Sequence, residues 1–520
     1  MLMAPALSFA VGAHCAVGMR AAAKTVVDRS ISELPAVGRL RALTVFARFG
    51  DEVSRPIPAW NDQLFDPALA GSLSHFYDLM SFGALRITGA VLAKRYAAGT
   101  SSRYLSAFAE EEGRYGDFVQ ALLGQVDADL DFADFDNDGP DGVANSGDDD
   151  GWVDYIFVNM QSVPTSFLLG AASGIAGLGF AEYSTGDIGV AGQPIRISGD
   201  PARGAIEQEG NFSQTVGTMA HEFGHSLGLA DYFDRSFLFD REQAPGQDSA
   251  GIGRWGLMGW GALGWDGNGG PTPFSARSLE QLGWVNSENG RLVEITTDAQ
   301  GLSASDLFVD GRIYRIPLRA EAVDNVSLHR EYLLLEYRDA TAHYYNRGQP
   351  ASGLLVWHVR TQVADNDREE LKHLDLLCAD GLYRDAGFPT GAQIDPYAGR
   401  DNLDFWSHDS AFNRLYSGNL GDATDPFDGV RYARLAFDSN PSTLVAADLA
   451  EATTGLSLTL QRTAKGVDID VRWPRWAGTL RREVLWYGNV LVDGDLTIAP
   501  EGRLVVFRNT QVRVAAGDRL

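Results

Sequence analysis

The stretch His221-Glu-Phe-Gly-His225-Ser-Leu-Gly-Leu-Ala-Asp231 determines what the rest of this sequence can be. Residues four apart lie on one face of an α-helix, so the imidazoles of His221 and His225 are predicted to stand one turn apart. Two neutral imidazoles placed in this way can bind a tetrahedral zinc ion. Gly228 is expected to end the helix, and the turn that follows can bring Asp231 back to the metal as a third ligand.

Glu222 follows the first histidine and is the expected catalytic residue of this motif. A glutamate at this position can act as general base on a zinc-activated water without binding the metal, as in an H-E-x-x-H zinc protease. The longer spacing H-E-x-x-H-x-x-G-x-x-D matches the metzincin motif, with a carboxylate in place of its last imidazole. Asp231 is therefore the favoured third ligand, and Asp234 or a glutamate elsewhere is the alternative.

The residues around the motif predict a buried helix over 214–227. Apolar side chains recur there at spacings of three and four, as in a helix that packs one face into a core. Ser213 is the predicted N-cap. Downstream, Met258 lies in the turn Trp255-Gly-Leu-Met-Gly-Trp260, and metzincins place a methionine turn beneath the metal at a comparable point in the chain.

An acidic, glycine-punctuated loop over 127–154 indicates a second kind of metal site. Its first carboxylates alternate and are followed by Gly139 in the sixth position of a calcium-binding loop. The twelfth position is Asn145, so the loop is not a complete EF-hand. The alternative is a solvated acidic loop without an ion. The predicted calcium ligands are Asp134, Asp136, Asp138, Asp148, Asp150 and Asp154.

Composition and charge argue against several classes of protein. The 520-residue chain has a formal net charge of −26 and no Lys/Arg-rich run, which argues against nucleic acids and anionic membrane surfaces as partners. Cys15 and Cys378 are the only cysteines, too few for a disulfide framework. No stretch reaches the roughly 20 apolar residues that a membrane helix needs. The apolar segment 1–19 is either a secretory signal or part of a longer precursor.

The sequence resembles the immune inhibitor A-like secreted bacterial zinc metallopeptidases over about 41–464. The resemblance implies a zincin-type α+β catalytic domain, secretion, zinc, bound calcium and hydrolysis of protein substrates. It also implies His221, His225 and Asp231 as metal ligands and Glu222 as the catalytic glutamate, although the family usually has proline where this chain has Ala230. The motifs that carry it are Gly71–Gly83, Asp136–Gly142, His221–Asp231, Trp255–Met258, Phe274–Ala276, Leu282–Val285, Tyr332–Arg338 and Gly353–His358.

The predicted fold class is α+β, with a zincin-like catalytic domain, a β-rich domain and the start of a β-solenoid resembling a parallel β-helix. Strands separated by polar turns dominate after about residue 290, and short strands with glycine turns recur near the C-terminus. Residues 1–39 are predicted to be a signal or propeptide remnant and 40–290 the catalytic domain with its calcium loop. Residues 291–465 are the predicted β-rich domain, and 466–520 the partial β-solenoid.

We therefore expect a secreted, extracellular bacterial zinc endopeptidase that hydrolyses peptide bonds in protein or peptide substrates, and association with the cell surface is left open. Substrate is expected to lie extended along an edge strand, with Ile195–Ser198 as the candidate. The first alternative is a non-catalytic, calcium-stabilised surface or adhesion protein with a vestigial metal site. Such a protein would be expected to have lost Glu222 or a ligand, and neither is lost. A zinc amidase or glycopeptidase is the second alternative, and the oligomeric state is left open.

Overall fold

A computed structural model describes the following residues: 15–17, 34–108, 111–139, 141–170, 172–236, 243–323, 326–369, 371–381, 402–436, 439–446, 451–453, 455–473, 475–481, 483–486, 489–506 and 510–519. These fall into two compact units. The first unit draws on the described parts of 1–230, 235–242 and 261–273, and the second on those of 231–234, 243–260 and 274–520.

Helices α1, α2 and α3 and strands β1 to β8 belong to the first unit. The helices are α1 (Leu73–Met80), α2 (Tyr115–Val126) and α3 (Phe212–Ser226). The strands are β1 (Cys15–Val17), β2 (Gly38–Phe49), β3 (Leu85–Ala98), β4 (Tyr155–Met160), β5 (Gly174–Ala176), β6 (Glu182–Ile188), β7 (Pro194–Ser198) and β8 (Gly204–Gln208).

Six of these strands form the main sheet of the first unit, in the order β1-β5-β8-β4-β2-β3. Strand β2 runs parallel to β3 and β4, and β4 runs parallel to β8. Strand β5 is antiparallel to β8, and β6 pairs with β7 in a separate two-stranded sheet. All residues of β4 are buried, as expected for a parallel strand that is covered on both faces.

Helix α3 carries the H-E-x-x-H motif and packs against β5 and β8. It begins after Asn211, whose side chain accepts a hydrogen bond from the backbone N–H of Gln214 at 3.0 Å. The Gln214 side chain accepts one from the Asn211 N–H at 3.0 Å, which completes a capping box. The predicted N-cap, Ser213, is wrong because Asn211 forms this reciprocal pair. The helix ends at Ser226, and Gly228 adopts a left-handed φ of 87°, which confirms the predicted stop.

Aromatic side chains fix the buried face of α3. The ring of Phe223 lies 5.0 Å from that of Tyr77 and 4.8 Å from that of Tyr155, measured between centroids. The Tyr77 hydroxyl donates a 2.6 Å hydrogen bond to the carbonyl oxygen of Ala220. A Cβ atom at Gly217 would collide with the carbonyl oxygen of Ala262. These contacts leave α3 little freedom to rotate or shift, because packed interiors tolerate only small displacements.

The second unit contains two short helices and strands β9 to β24. The helices are α4 (Ala276–Gln281) and α5 (Ser410–Tyr416). The strands are β9 (Leu292–Glu294), β10 (Ala299–Ser305), β11 (Ile313–Val323), β12 (Val326–Arg338), β13 (Gly353–Arg360), β14 (Leu374–Leu376), β15 (Arg434–Ala436), β16 (Leu444–Ala446), β17 (Glu451–Thr453), β18 (Ser457–Arg462), β19 (Gly466–Arg472), β20 (Arg475–Leu480), β21 (Glu483–Trp486), β22 (Asn489–Ile498), β23 (Arg503–Val506) and β24 (Gln511–Val514).

These strands form four sheets, in the orders β14-β13-β12-β11-β9, β10-β19-β18-β15, β16-β17-β21-β23 and β20-β22-β24. The first two share one apolar core. Towards the C-terminus the pairing becomes parallel, with β22 between β20 and β24 and β23 beside β21. Across both units, few helices accompany many sheets, which is compatible with the predicted α+β class. Among the described residues, no helix is both long and apolar enough to cross a membrane.

Candidate metal centre

His221, His225 and Asp231 lie together as the motif predicts. One ligand atom from each side chain lies within 4.8 Å of those of the other two, and all three residues are buried. The two imidazole rings are 4.9 Å apart between centroids. Two imidazoles and one carboxylate form the donor set of a catalytic zinc site, in which three protein ligands leave one position open. The chemistry of the three residues therefore fits a zinc ion.

A backbone carbonyl orients the second histidine. The Nδ1 atom of His225 lies 2.9 Å from the carbonyl oxygen of Leu229. Because a carbonyl can only accept, Nδ1 carries the hydrogen and Nε2 keeps its lone pair for a metal. Leu229 is held in turn by its N–H, which donates to the Gly224 carbonyl oxygen at 3.1 Å. The sharp turn at Gly228 thus fixes the tautomer of His225.

The residue after Asp231 is anchored on several sides. The Tyr232 N–H donates to the carbonyl oxygen of Met258 at 2.8 Å, and its ring stacks on His373 at 6.0 Å between centroids. Its carbonyl oxygen accepts hydrogen bonds from the N–H of Ile252 at 2.9 Å and from the side-chain amide of Asn366 at 3.2 Å. The turn containing Met258 therefore supports the chain beside the third predicted ligand.

The Glu222 side chain is fully buried on α3 and faces β5. A Cβ atom at Gly174, the first residue of β5, would collide with Glu222 Oε1. Glycine is thus required at this point if the predicted catalytic carboxylate is to keep its place. Thr218, one helical turn before Glu222, also borders Gly174, and its Cγ2 atom would lie 3.1 Å from such a Cβ atom.

A second buried carboxyl group, which sequence reasoning missed, lies near Glu222. Glu207 on β8 is fully buried, and neither of its carboxylate oxygens has a hydrogen-bond partner among the described residues. Burial, together with the charge of Glu222, raises the pKa of Glu207 well above its usual value. The available signal was a charged residue in the strand Gly204-Ala-Ile-Glu-Gln208, which is otherwise small or apolar until its last residue.

Three of the six predicted calcium ligands come together in the first unit. Ligand atoms of Asp136, Asp138 and Asp154 lie within 4.8 Å of one another. Asp154 accepts hydrogen bonds from the backbone N–H groups of Arg41 at 2.7 Å and Asn137 at 2.9 Å. Asp136 Oδ2 accepts the Gly151 N–H at 3.0 Å. Its Oδ1 is buried without a hydrogen-bond partner in the part of the chain that the structure describes.

The other three predicted ligands lie outside this group. Asp134 is exposed on a short 3₁₀ helix, and Asp148 accepts hydrogen bonds from its own loop, including the Asp141 N–H at 3.2 Å. Asp150 forms an ion pair with Arg203 at 2.6 Å, and the same guanidinium lies 3.6 Å from Asp138. Arg203, on the loop before β8, was not singled out from the sequence.

Electrostatic repulsion is high in this acidic group. Burial raises the pKa of Asp136 to about 7, with further contributions from the charges of Asp149 and Asp150. Burial also raises the pKa of Asp154 to about 7 and raises that of Asp138. Burial and repulsion between neighbouring carboxylates both disfavour the charged forms, and a bound cation would offset this destabilisation.

A family model matches part of the chain. Residues 62–291 match the family model described as immune inhibitor A peptidase M6, catalytic domain. This segment is similar to the catalytic domain of the immune inhibitor A peptidases. The matched segment contains α3 and all three residues of the His221 group. The match supports a metallopeptidase.

Other comparisons add little. Comparison with curated proteins finds no match. Among solved structures, the crystal structure of wild type OgpA from Akkermansia muciniphila is similar over 66% of this chain and 87% of that chain, with 13% identity and a TM-score of 0.22. A TM-score this low supports no argument about fold or activity.

The geometry of the His221, His225 and Asp231 group predicts that Asp231 is needed to hold metal and that nearby Asp234 is not. Replacing Asp231 with alanine should remove most of the bound metal, because the carboxylate belongs to the buried three-residue group. Replacing Asp234 with alanine should leave the metal in place, because Asp234 instead accepts a hydrogen bond from the Gln243 side chain at 2.9 Å. Elemental analysis of protein never exposed to a chelator measures both. Metal lost from Asp234→Ala but kept by Asp231→Ala would reassign the third ligand.

Proposed function

We propose that this protein is a secreted zinc-dependent endopeptidase that hydrolyses peptide bonds in protein substrates. The observation that carries the proposal is the buried group of His221, His225 and Asp231, with Glu222 buried on the same helix. The group lies in a segment that matches a peptidase catalytic domain. In this proposal the three residues hold zinc and Glu222 is the general base.

The chemistry divides between the metal and the glutamate. When bound, zinc would polarise the scissile carbonyl and lower the pKa of a water molecule. Glu222 would accept a proton from the attacking water and later donate it to the departing amine. Glu222 follows His221 directly in the helix, and Gly174 leaves room for its carboxylate. Because the side chain is fully buried, its interactions act in a medium of low dielectric constant, where they are stronger than in water.

The main sheet suggests where a substrate would lie. Strand β5 packs beside α3, and its Gly174 borders the Glu222 carboxylate. The other edge of β5 pairs in parallel with β1, so an extended substrate would use this edge in place of β1. The earlier candidate, Ile195–Ser198, lies within β7 of the separate two-stranded sheet. We therefore favour β5 as the strand along which substrate is held.

The proposal extends to fold details and to location. The largely parallel sheet with its antiparallel β5 and with α3 packed beside it supports a zincin-like catalytic domain. The successive parallel pairs among β20, β22 and β24 support the start of a β-solenoid in 466–520. The strongly acidic net charge of −26 is compatible with an extracellular, calcium-binding protein that acts free in the medium or at the cell surface.

Calcium is proposed as a structural cofactor of the Asp136, Asp138 and Asp154 group. Hard cations such as Ca²⁺ prefer carboxylate and carbonyl oxygens. Asp136 Oδ1 is buried without a hydrogen-bond partner among the described residues, so it can become a ligand without breaking an existing contact. Part of the negative charge is already balanced by Arg203.

The calcium proposal predicts a ligand-dependent melting temperature. An ion that binds only the folded state stabilises it by about 2.7 kcal/mol at a hundredfold excess over its Kd, so calcium should raise the melting temperature above that in chelator. Asp136→Asn should abolish most of this difference, because it removes a charge from the group. The matched control, Asp134→Asn, should retain it. Identical melting curves of the wild type with calcium and with chelator would contradict the proposal.

The peptidase proposal predicts the effect of Glu222→Gln. This change keeps the size of the side chain but removes the general base, so cleavage of an unfolded protein substrate should fall by roughly 10²–10⁴-fold. Zinc content should be unchanged, because Glu222 is not one of the three ligands. The exposed control Glu182→Gln should cleave like the wild type.

Assays at equal zinc occupancy distinguish the alternatives. Equal cleavage by wild type and Glu222→Gln would remove the assigned role of Glu222. A zinc-loaded wild type that cleaves no protein substrate would favour the non-catalytic surface or adhesion protein. Release of sugar or of a non-peptide amide without peptide cleavage would favour the glycopeptidase or amidase alternative.

A further inference from the structure

A row of residues crosses the main sheet behind the catalytic glutamate. In the strand register, Asn159 on β4 lies opposite Glu207 on β8, and Glu207 lies opposite Gly174 on β5. Directly opposed residues on paired strands have Cα atoms about 4.5–5.5 Å apart. Glu222 Oε1 lies over Gly174, so Glu207, the residue opposite Gly174 on β8, is an acidic neighbour of Glu222 in this row.

The row faces α3. Tyr155 and Phe157 on β4 both contact Phe223 on the helix, with ring centroids 4.8 Å and 6.3 Å away. Side chains alternate along a strand, so Asn159 points to the same side. Its amide nitrogen lies 4.0 Å from the sulfur of Met219. The register then places the Glu207 side chain on this face as well.

A glutamate at position 207 is expected to lower the stability of the fold. It is fully buried, and both of its carboxylate oxygens lack a hydrogen-bond partner among the described residues. Asn159 Oδ1 is likewise buried without one. A buried polar group without a partner destabilises a fold, and an apolar side chain of similar size is often as stable or more stable. A group that weakens the fold beside a catalytic residue is therefore a candidate for a functional role.

The titratable groups around Glu207 favour its neutral form. Glu222 faces Glu207 from α3, and Tyr155 lies on the neighbouring strand β4. Burial raises the pKa of the Tyr155 hydroxyl group, and the charges of Glu207 and Glu222 raise it further. Two carboxyl groups buried side by side do not readily carry two negative charges. A neutral carboxyl group can donate a hydrogen bond, which a carboxylate cannot. Enclosed water usually connects buried polar groups that have no direct protein partner.

We propose that Glu207 is a positioning residue for Glu222, which it holds over Gly174 by a hydrogen bond donated through enclosed water. The inference rests on the proposed peptidase function and adds a role for a residue that is neither a metal ligand nor a group that touches substrate. Glutamine at this position can donate a similar hydrogen bond, whereas leucine cannot.

The test compares Glu207→Gln and Glu207→Leu with the wild type at equal zinc occupancy. Glu207→Gln should keep kcat within about threefold, because a neutral donor remains. Glu207→Leu should lower kcat by about 10–10²-fold, the effect of a small misplacement of a catalytic group, with KM and zinc content unchanged. Its melting temperature should rise, because burying a carboxyl group without a direct protein partner destabilises the fold more than burying leucine.

A matched control lies on the same face of the sheet. Thr44 on β2 is fully buried, and its hydroxyl oxygen has no hydrogen-bond partner in the described part of the chain. Two strands separate β2 from β5. Thr44→Val should therefore also raise the melting temperature, but with kcat unchanged.

A second readout does not depend on activity. Infrared spectra of the wild type should contain the carbonyl band of a protonated buried carboxyl group that is missing from both Glu207 variants. Absence of that band from the difference spectrum would overturn the inference.

The kinetic outcomes separate this inference from the proposed function. Unchanged kcat in Glu207→Leu, or a joint loss of kcat and melting temperature, would overturn the inference while leaving an active peptidase. Loss of kcat in Glu207→Gln as well would also overturn it, because it would mean that a carboxyl group itself is needed. A zinc-loaded wild type without peptidase activity would overturn the proposed function and this inference together.

Discussion

The candidate metal centre depends on how closely α3 packs against its surroundings. Collisions at Gly217 with Ala262 and at Gly174 with Glu222 would follow from adding a single carbon atom. The aromatic contacts of Phe223 and the hydrogen bond from Tyr77 also hold the helix. A zinc site requires its ligands to be placed to within a fraction of an ångström, and a helix fixed in this way can provide that placement.

Burial also sets the electrostatics of both acidic regions. Buried and partly buried acidic side chains lie close together in the Asp136 group, with Arg203 beside them, and the charge of Glu222 acts on buried Glu207. In the Asp136 group the effect is a pKa of about 7 for two aspartates, and near α3 it is a raised pKa for Glu207. The first arrangement is suited to bind a cation, and the second to keep a proton. The same physical cause thus supports two different roles.

The sequence was informative where the relevant geometry is local. The spacing of His221 and His225 within one helix, and the turn at Gly228, are consequences of helical periodicity and glycine conformation, so both could be predicted. The cap of the helix was predicted wrongly at Ser213, because the side chains of Asn211 and Gln214 each accept a hydrogen bond from the other residue's backbone N–H. In the acidic loop, residue types alone could not separate Asp154, which contacts the backbone of β2, from Asp148, which contacts its own loop. The charge of Glu207 within a small and apolar strand was visible in the sequence, but its place beside Glu222 was not, since that depends on the register of β8 with β5.

The central claim is that α3 presents a zinc ion to Glu222. Diffraction data from crystals of protein never exposed to a chelator, collected on both sides of the zinc absorption edge, test it most directly. The account predicts one anomalous peak within bonding distance of His221, His225 and Asp231, present above the edge and absent below it. No peak at these residues, or a peak coordinated by other side chains, would contradict the account.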